Sequence, residues 1–176
     1  GTRPAILLLI GSERGFCGNF NERLMAALEG LPREVQPPAL LVVGHRLGTK
    51  LEAHPDVVAR IDGPTVTEDV PAALNRLMDA LHPGSRSDSS AGAALLSLAH
   101  DSDGEPRLKR LLPLAPPPRP QLAHPPRLHL APSAFFAELL DQYLLAALYG
   151  LLYESLAAEN RQRLAHMEHA IGRLDE

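Results

Sequence analysis

Between Ile6 and Asn21 the chain reads ILLLIGSERGFCGNFN, and here residue types and spacing come nearest to a reacting or binding site. Gly11, Gly15 and Gly18 lie between a short apolar run and sequence able to open a helix near Asn21. A glycine turn at a helix N-terminus directs backbone N–H groups at one spot, which suits a phosphate. The turn matches neither GxxxxGK[ST] nor GxGxxG, and no lysine follows it. Cys17 has Arg14 and a helix terminus close in sequence, surroundings that can lower a thiol pKa and make a nucleophile. A lone cysteine between Phe16 and Gly18 also reads as a small packing residue. Phosphate cradle, thiol nucleophile and structural turn are therefore the three readings of this stretch. Elsewhere, His124 and His129 are too isolated to argue a metal site.

These residues must be positioned by the elements around them. Ile6 to Ile10 is an apolar run bounded by turn residues, the pattern of a strand covered on both faces, as in parallel sheets. Leu24, Leu28 and Leu31 follow at roughly helical spacing. Ala39 to Val43 predicts a second buried strand closing at Gly44, Arg46 to Ala53 a short helix, and Val57 to Ile61 a third strand ended by Asp62-Gly63-Pro64. Thr67 is expected as the N-cap of a helix with acids in its first turn and Leu74, Leu77, Met78 and Leu81 on its apolar face. His82-Pro83-Gly84 ends it, and Ser85 to Ser90 is a polar loop. Ala93 to Ala99 predicts a fourth strand, Asp101 to Glu105 a hairpin turn, and Arg107 to Leu114 the antiparallel return. Alternating strands and helices with right-handed crossovers make an α/β, Rossmann-like, mostly parallel sheet with helices on both faces. Pro113 to Pro132 is proline-dense and reads as an extended crossover to the last helix.

Composition removes several classes of function. The 176 residues suffice for one sizeable core, with 45% apolar and only 4% aromatic content, so packing falls to Leu, Ala and Val. A net charge of −4 gives no basic footprint for nucleic acid. One cysteine rules out an internal disulfide and fits a reducing compartment. No apolar run is expected to approach the ~20 residues that span a bilayer, so any membrane link runs through partners.

From Ser133 to Glu176 there is no proline and the spacing is helical. Phe136, Leu139, Leu140, Tyr143, Leu144, Ala147, Leu148, Leu151 and Leu152 form a wide apolar stripe expected to cover the sheet. Beyond Glu154 the apolar set narrows to Leu164, Met167, Ile171 and Leu174, three and four residues apart as in a coiled-coil seam. Such a helix is ~65 Å long, against a radius of gyration of ~16 Å for a domain of this size. Its last third is expected to project or to lie on a partner helix. Residues 1–132 are thus read as a globular domain and 133–176 as a long helix that packs on it and begins a shaft.

The wording of two motifs adds a family. SERGFCGNFN, Ser12 to Asn21, closely resembles the S-D-R-G-L-C-G-G-x-N signature of the gamma subunit of F-type ATP synthases, with Glu13 for Asp, Phe16 for Leu and Asn19 for Gly. LLYESLAAENRQRLAHMEHA resembles that family's L-x-E-S-x-x-S-E-x-x-x-R-M-x-A-M-x-x-A segment, with Glu154, Ser155, Glu159, Arg163, Met167 and Ala170 in register. VVGHR, VVARIDGP and Leu111-Leu112-Pro113-Leu114 fall in the same order between them. His129-Leu130-Ala131-Pro132 departs from the family's aromatic and acid before a proline, near its contact with the membrane ring.

The resemblance implies a non-catalytic rotor subunit without a cofactor, coupling ion flow to ATP synthesis or hydrolysis by rotation. Its implied partners are the alpha and beta subunits of the catalytic hexamer, the epsilon subunit and the membrane c-ring. Its implied place is the cytoplasmic face of a bacterial inner membrane, peripheral and without insertion. Ser12, Arg14, Gly15, Cys17, Gly18 and Asn21 become a structural signature turn, and Glu159, Arg163 and Met167 a possible hexamer contact. The bland reading of Glu159 and Arg163 is an i, i+4 surface pair worth ~0.3–0.5 kcal/mol. Lacking the family's long N-terminal helix and the rest of its C-terminal one, the chain is expected to be the rotor's globular base. A phosphate- or nucleotide-binding α/β enzyme using the Gly11–Asn21 turn, and a stand-alone interaction module, remain as alternatives.

Overall fold

Strand β1, Ala5–Ile10, lies in the middle of one five-stranded sheet in the computed structural model, which describes residues 5–32, 39–81, 94–114, 129 and 131–173. It is followed by α1 (Phe20–Glu29), β2 (Ala39–Val43), α2 (His45–Lys50), β3 (Val57–Ile61), α3 (Val70–Leu81), β4 (Ala94–His100), β5 (Pro106–Leu112) and α4 (Pro132–Gly172). The strand order is β3-β2-β1-β4-β5, parallel except for the β4–β5 pair.

Alternation along β1 divides the core. Leu7 and Leu9 turn to one face with Leu24 of α1, Leu47 of α2, Leu40, Val42 and Leu98. Leu8 and Ile10 turn to the other with Leu74 and Leu77 of α3 and Leu148 and Leu152 of α4. Leu7, Leu8 and Leu9 are 0% exposed, so each side chain contributes ~1.5–3 kcal/mol of burial, and the strand as a whole is covered by both layers. The mostly parallel sheet with helices on both faces is therefore as expected.

At the antiparallel edge the hairpin turn is built by Asp101. Its carboxylate accepts the backbone N–H of Asp103 (2.9 Å) and Glu105 (3.1 Å) and the Arg107 Nε (2.9 Å). The Arg107 hydrogen bond, followed by that from the Glu105 backbone, holds the carboxyl down at about 2. Gly104, at φ +78°, turns the chain back.

Three expectations are corrected. Thr67 does not cap a helix: Thr67–Asp69 is a single 3-10 turn, and Asp69 instead accepts the Thr65 N–H and hydroxyl at 3.2 and 2.6 Å. Nor does the apolar stripe of α4 all cover the sheet. Leu148, Leu151 and Leu152 are buried, but Phe136 and Leu139 are 59% and 54% exposed, because α4 reaches the core only in its middle. Finally, α4 is by length and composition able to cross a membrane, with a window of mean hydropathy 1.3. Looking only for unbroken apolar runs hid this, since Glu138 and Asp141 interrupt the window. The buried leucines at 148, 151, 152 and 156 commit the middle of that helix to protein. The expected helix stop at His82-Pro83-Gly84, the loop at 85–90, most of the crossover and Leu174 lie outside the described residues.

Candidate functional site

The Gly11–Asn21 turn leaves the carboxyl end of β1, where the chain's parallel strands also end. The Gly11 N–H donates to the Val43 carbonyl and the Gly44 N–H to that of Ile61, both at 2.9 Å, so the ends of β1, β2 and β3 are joined in sequence. Close approach explains the glycines. A Cβ on Gly11 would stand 2.5 Å from Leu47 Cδ2, and one on Gly44, at φ +108°, 2.7 Å from the Gly11 carbonyl oxygen.

Ser12 and Asn21 lock the turn to α1. The Ser12 N–H donates to Asn21 Oδ1 at 3.0 Å and Asn21 Nδ2 to Ser12 Oγ at 2.8 Å, both residues buried. Glu13 reaches the other way: its Oε2 accepts the N–H groups of His45 and Gly63, each at 2.7 Å. One carboxylate thereby ties together the loops that follow β1, β2 and β3. Arg14 adds a hydrogen bond from its guanidinium to the Thr65 carbonyl at 3.0 Å.

The centre of the site comes from far along the chain. Glu159 of α4 is 3% exposed, and its carboxylate accepts the backbone N–H of Glu13 (3.2 Å), the backbone N–H of Arg14 (3.3 Å) and the guanidinium of Arg163. Arg163 also donates to the Gly15 carbonyl (3.3 Å) and to Asn160 Oδ1 (2.8 Å). The surface-pair reading of Glu159 and Arg163 is thus overturned: the pair is enclosed, with side chains 4% and 13% exposed, because the turn folds over it. Gly18, at φ +55°, faces Gln162 one turn on. Met167 lies beyond this contact, 44% exposed.

Cys17 is 5% exposed, with Sγ 3.4 and 3.3 Å from the Arg14 and Gly15 carbonyls. Burial, and then the Glu159 carboxylate, push its thiol pKa up, and Arg163 only opposes this. The thiol stays protonated, which removes the activated-nucleophile reading. The phosphate reading meets an equally direct obstacle. The N–H groups that would hold a phosphate already hold Glu159. Among the described residues no group of three or more His, Cys, Asp or Glu could hold a metal ion. Phe16 is the large apolar side chain that the turn leaves in the open, 73% accessible at φ +61°. A bulky residue there is strained by about 1–2 kcal/mol, which the surrounding hydrogen bonds must hold.

Sequence reading missed two members. Glu13 was legible only as a substitution within a motif, although an acid three residues past a strand end is well placed to collect neighbouring loop N–H groups. His100 gave no signal beyond ending a strand. It is 1% exposed, stacked on Phe20 at 3.8 Å and 20°, and neither ring nitrogen has a hydrogen-bond partner within the described residues. Burial, foremost, lowers its pKa from 6.5 to about 4. Between those values the unfolded chain binds the proton and the folded one does not. Stability from this group is therefore complete above pH 6.5 and is lost as pH falls towards 4, by about 3 kcal/mol in all. Urea unfolding of wild type and His100→Leu between pH 7 and 4 tests this: the variant should lose that part of the slope.

The chain matches the ATP synthase family over residues 2–176. No curated protein matches it. Among solved structures it is similar to a chain of the Tetrahymena thermophila mitochondrial ATP synthase central stalk and c-ring, at 18% identity and a TM-score of 0.64, covering 97% of this chain and 77% of that one. A rotor chain of the Euglena gracilis mitochondrial ATP synthase gives 12% identity and a TM-score of 0.66, covering 98% and 68%. A chain from another rotational state of that complex, solved with OSCP, F1 and the c-ring, gives 12% and 0.63, covering 98% and 62%.

Proposed function

The chain belongs to the gamma family of F-type ATP synthases, and from that premise we propose that it acts as the non-catalytic foot and lower shaft of the rotor. The strands and helices before α4 belong to the foot, and α4, Pro132–Gly172, carries the torque. The observation that supports this most is the set of apolar side chains that α4 leaves exposed. Phe136 and Leu139 near its start, and Leu164, Met167 and Ile171 near its end, lie three and four residues apart and are all at least 44% exposed. Such spacing is that of a coiled-coil seam, and a helix that buries one face in its own core while keeping these residues outside is built to pair with another long helix. At ~1.5 Å per residue, 41 residues give a rod of ~60 Å.

Coupling by rotation needs stiffness and shaped contacts, since the work lies in differential binding of nucleotide between conformations of other subunits. The Glu159 junction supplies the stiffness between rod and foot. The implied partners are the alpha and beta subunits, the epsilon subunit and the c-ring. We assign Met167, exposed beyond the junction, to the hexamer contact, with Glu159 and Arg163 acting through the turn. The chain works peripherally, without entering the bilayer, on the cytoplasmic face of a bacterial inner membrane.

The test is a calorimetric titration of the chain with the epsilon subunit of the same organism, followed by titration with the alpha–beta hexamer. Saturable one-to-one binding to epsilon is expected. A folded chain that binds neither overturns the rotor reading.

A further inference from the structure

The groups around Glu159 are those of an oxyanion receptor. Two consecutive backbone N–H groups, of Glu13 and Arg14, point at separate oxygens of one carboxylate, at 3.2 and 3.3 Å. The Arg163 guanidinium and the Cys17 thiol, at 3.9 Å, complete the shell on Oε1. Successive N–H groups beside a guanidinium are how proteins hold phosphates and carboxylates. The location fits as well. After β1 the chain passes to β2 on one side, while β4 pairs on the other, and open parallel sheets hold ligands outside the strand ends at such a switch point. Here the anion is supplied by the chain itself, from 145 residues beyond Arg14.

We propose that this turn is an oxyanion-binding site whose resident ligand is Glu159, and that it accepts a small carboxylate or phosphate from solution once that side chain is removed. In the intact protein the tethered carboxylate excludes soluble anions because its effective concentration in the site exceeds theirs. The contact between α4 and the foot is then a ligand–receptor contact within one chain. This does not depend on the rotor reading, since it concerns only the chain's own donors and carboxylate.

The experiment compares full-length wild type, Glu159→Ala and Glu159→Gln in acetate, phosphate and chloride at matched ionic strength. The readouts are the melting temperature and the alkylation rate of Cys17, which lies against the carboxylate. In chloride, Glu159→Ala should melt lower and alkylate faster than wild type. Acetate or phosphate should recover at least about tenfold of the lost thiol protection and raise the melting temperature, as a ligand of the folded state must. Wild type and Glu159→Gln, whose cradles are filled, should show no response beyond chloride. Equal behaviour of Glu159→Ala in all three salts, or an equal response by wild type, overturns the proposal. Should Glu159→Ala fail to fold in chloride, refolding in acetate or phosphate supports it. Failure in every salt while Glu159→Gln folds overturns it.

Discussion

Replacing Glu159 by alanine is expected to lower the unfolding free energy by about 3–5 kcal/mol, measured by urea denaturation with an unchanged slope. The size follows from what remains after the carboxylate is gone. The Arg163 guanidinium, 13% exposed, keeps its charge in an enclosed place, and the N–H groups of Glu13 and Arg14 lose their acceptor. A fully buried donor left unpaired costs roughly 1–3 kcal/mol, and these two, part-buried, cost less each, so the guanidinium is the larger share. A control separates this from charge removal in general. Glu22 pairs with Lys50 at 2.6 Å, but the two side chains are 52% and 43% exposed, so Glu22→Ala should cost less than about 1 kcal/mol. Comparable losses from the two substitutions would mean that Glu159 contributes only as a surface charge. Glutamine at 159 should fall between, since its amide oxygen still accepts an N–H while the guanidinium loses its counter-charge.

A single methyl group at Gly44 should destabilise the fold almost as much, by about 3–5 kcal/mol, from two additive causes. At φ +108° an alanine is strained by roughly 1–3 kcal/mol. Its Cβ would also stand 2.7 and 2.8 Å from the carbonyl oxygens of Gly11 and Ser12, backbone atoms that cannot swing aside. Forcing them apart costs roughly 1–3 kcal/mol more and strains the Gly11–Val43 hydrogen bond. Gly150→Ala gives the contrast, because a Cβ there meets nothing within 4 Å and alanine is the better helix former by about 0.8–1 kcal/mol. The pair of thermal melts should move in opposite directions.

The two motifs that gave the family flank the junction from opposite ends of the chain, and their spelling was legible without any structure. So were the sheet's strands: Ala39–Val43 and Val57–Ile61 fall where apolar runs between turn residues put them. A strand buried on both faces leaves a continuous apolar signature, and glycine where φ is positive leaves another. Thr67 misled because a hydroxyl before two acids looks like a cap, whereas the backbone closed a 3-10 turn there and Asp69 reaches back to accept from Thr65.

The α/β layering, the long last helix with a coiled-coil spacing near its end, and the family that the motifs resemble can all be read from the order of the amino acids. These are written in local periodicity and in residue types with restricted backbone geometry. It takes the folded chain to make Glu159, spaced like half of a surface pair with Arg163, the buried acceptor for a turn 145 residues away, to let Glu13 gather three loops, and to hold His100 neutral under Phe20. The physical reason is common to all three. A carboxylate or imidazole carries no sequence mark of its burial, because its partners are backbone N–H groups or a ring brought close by the fold, and those occur at every position of every chain.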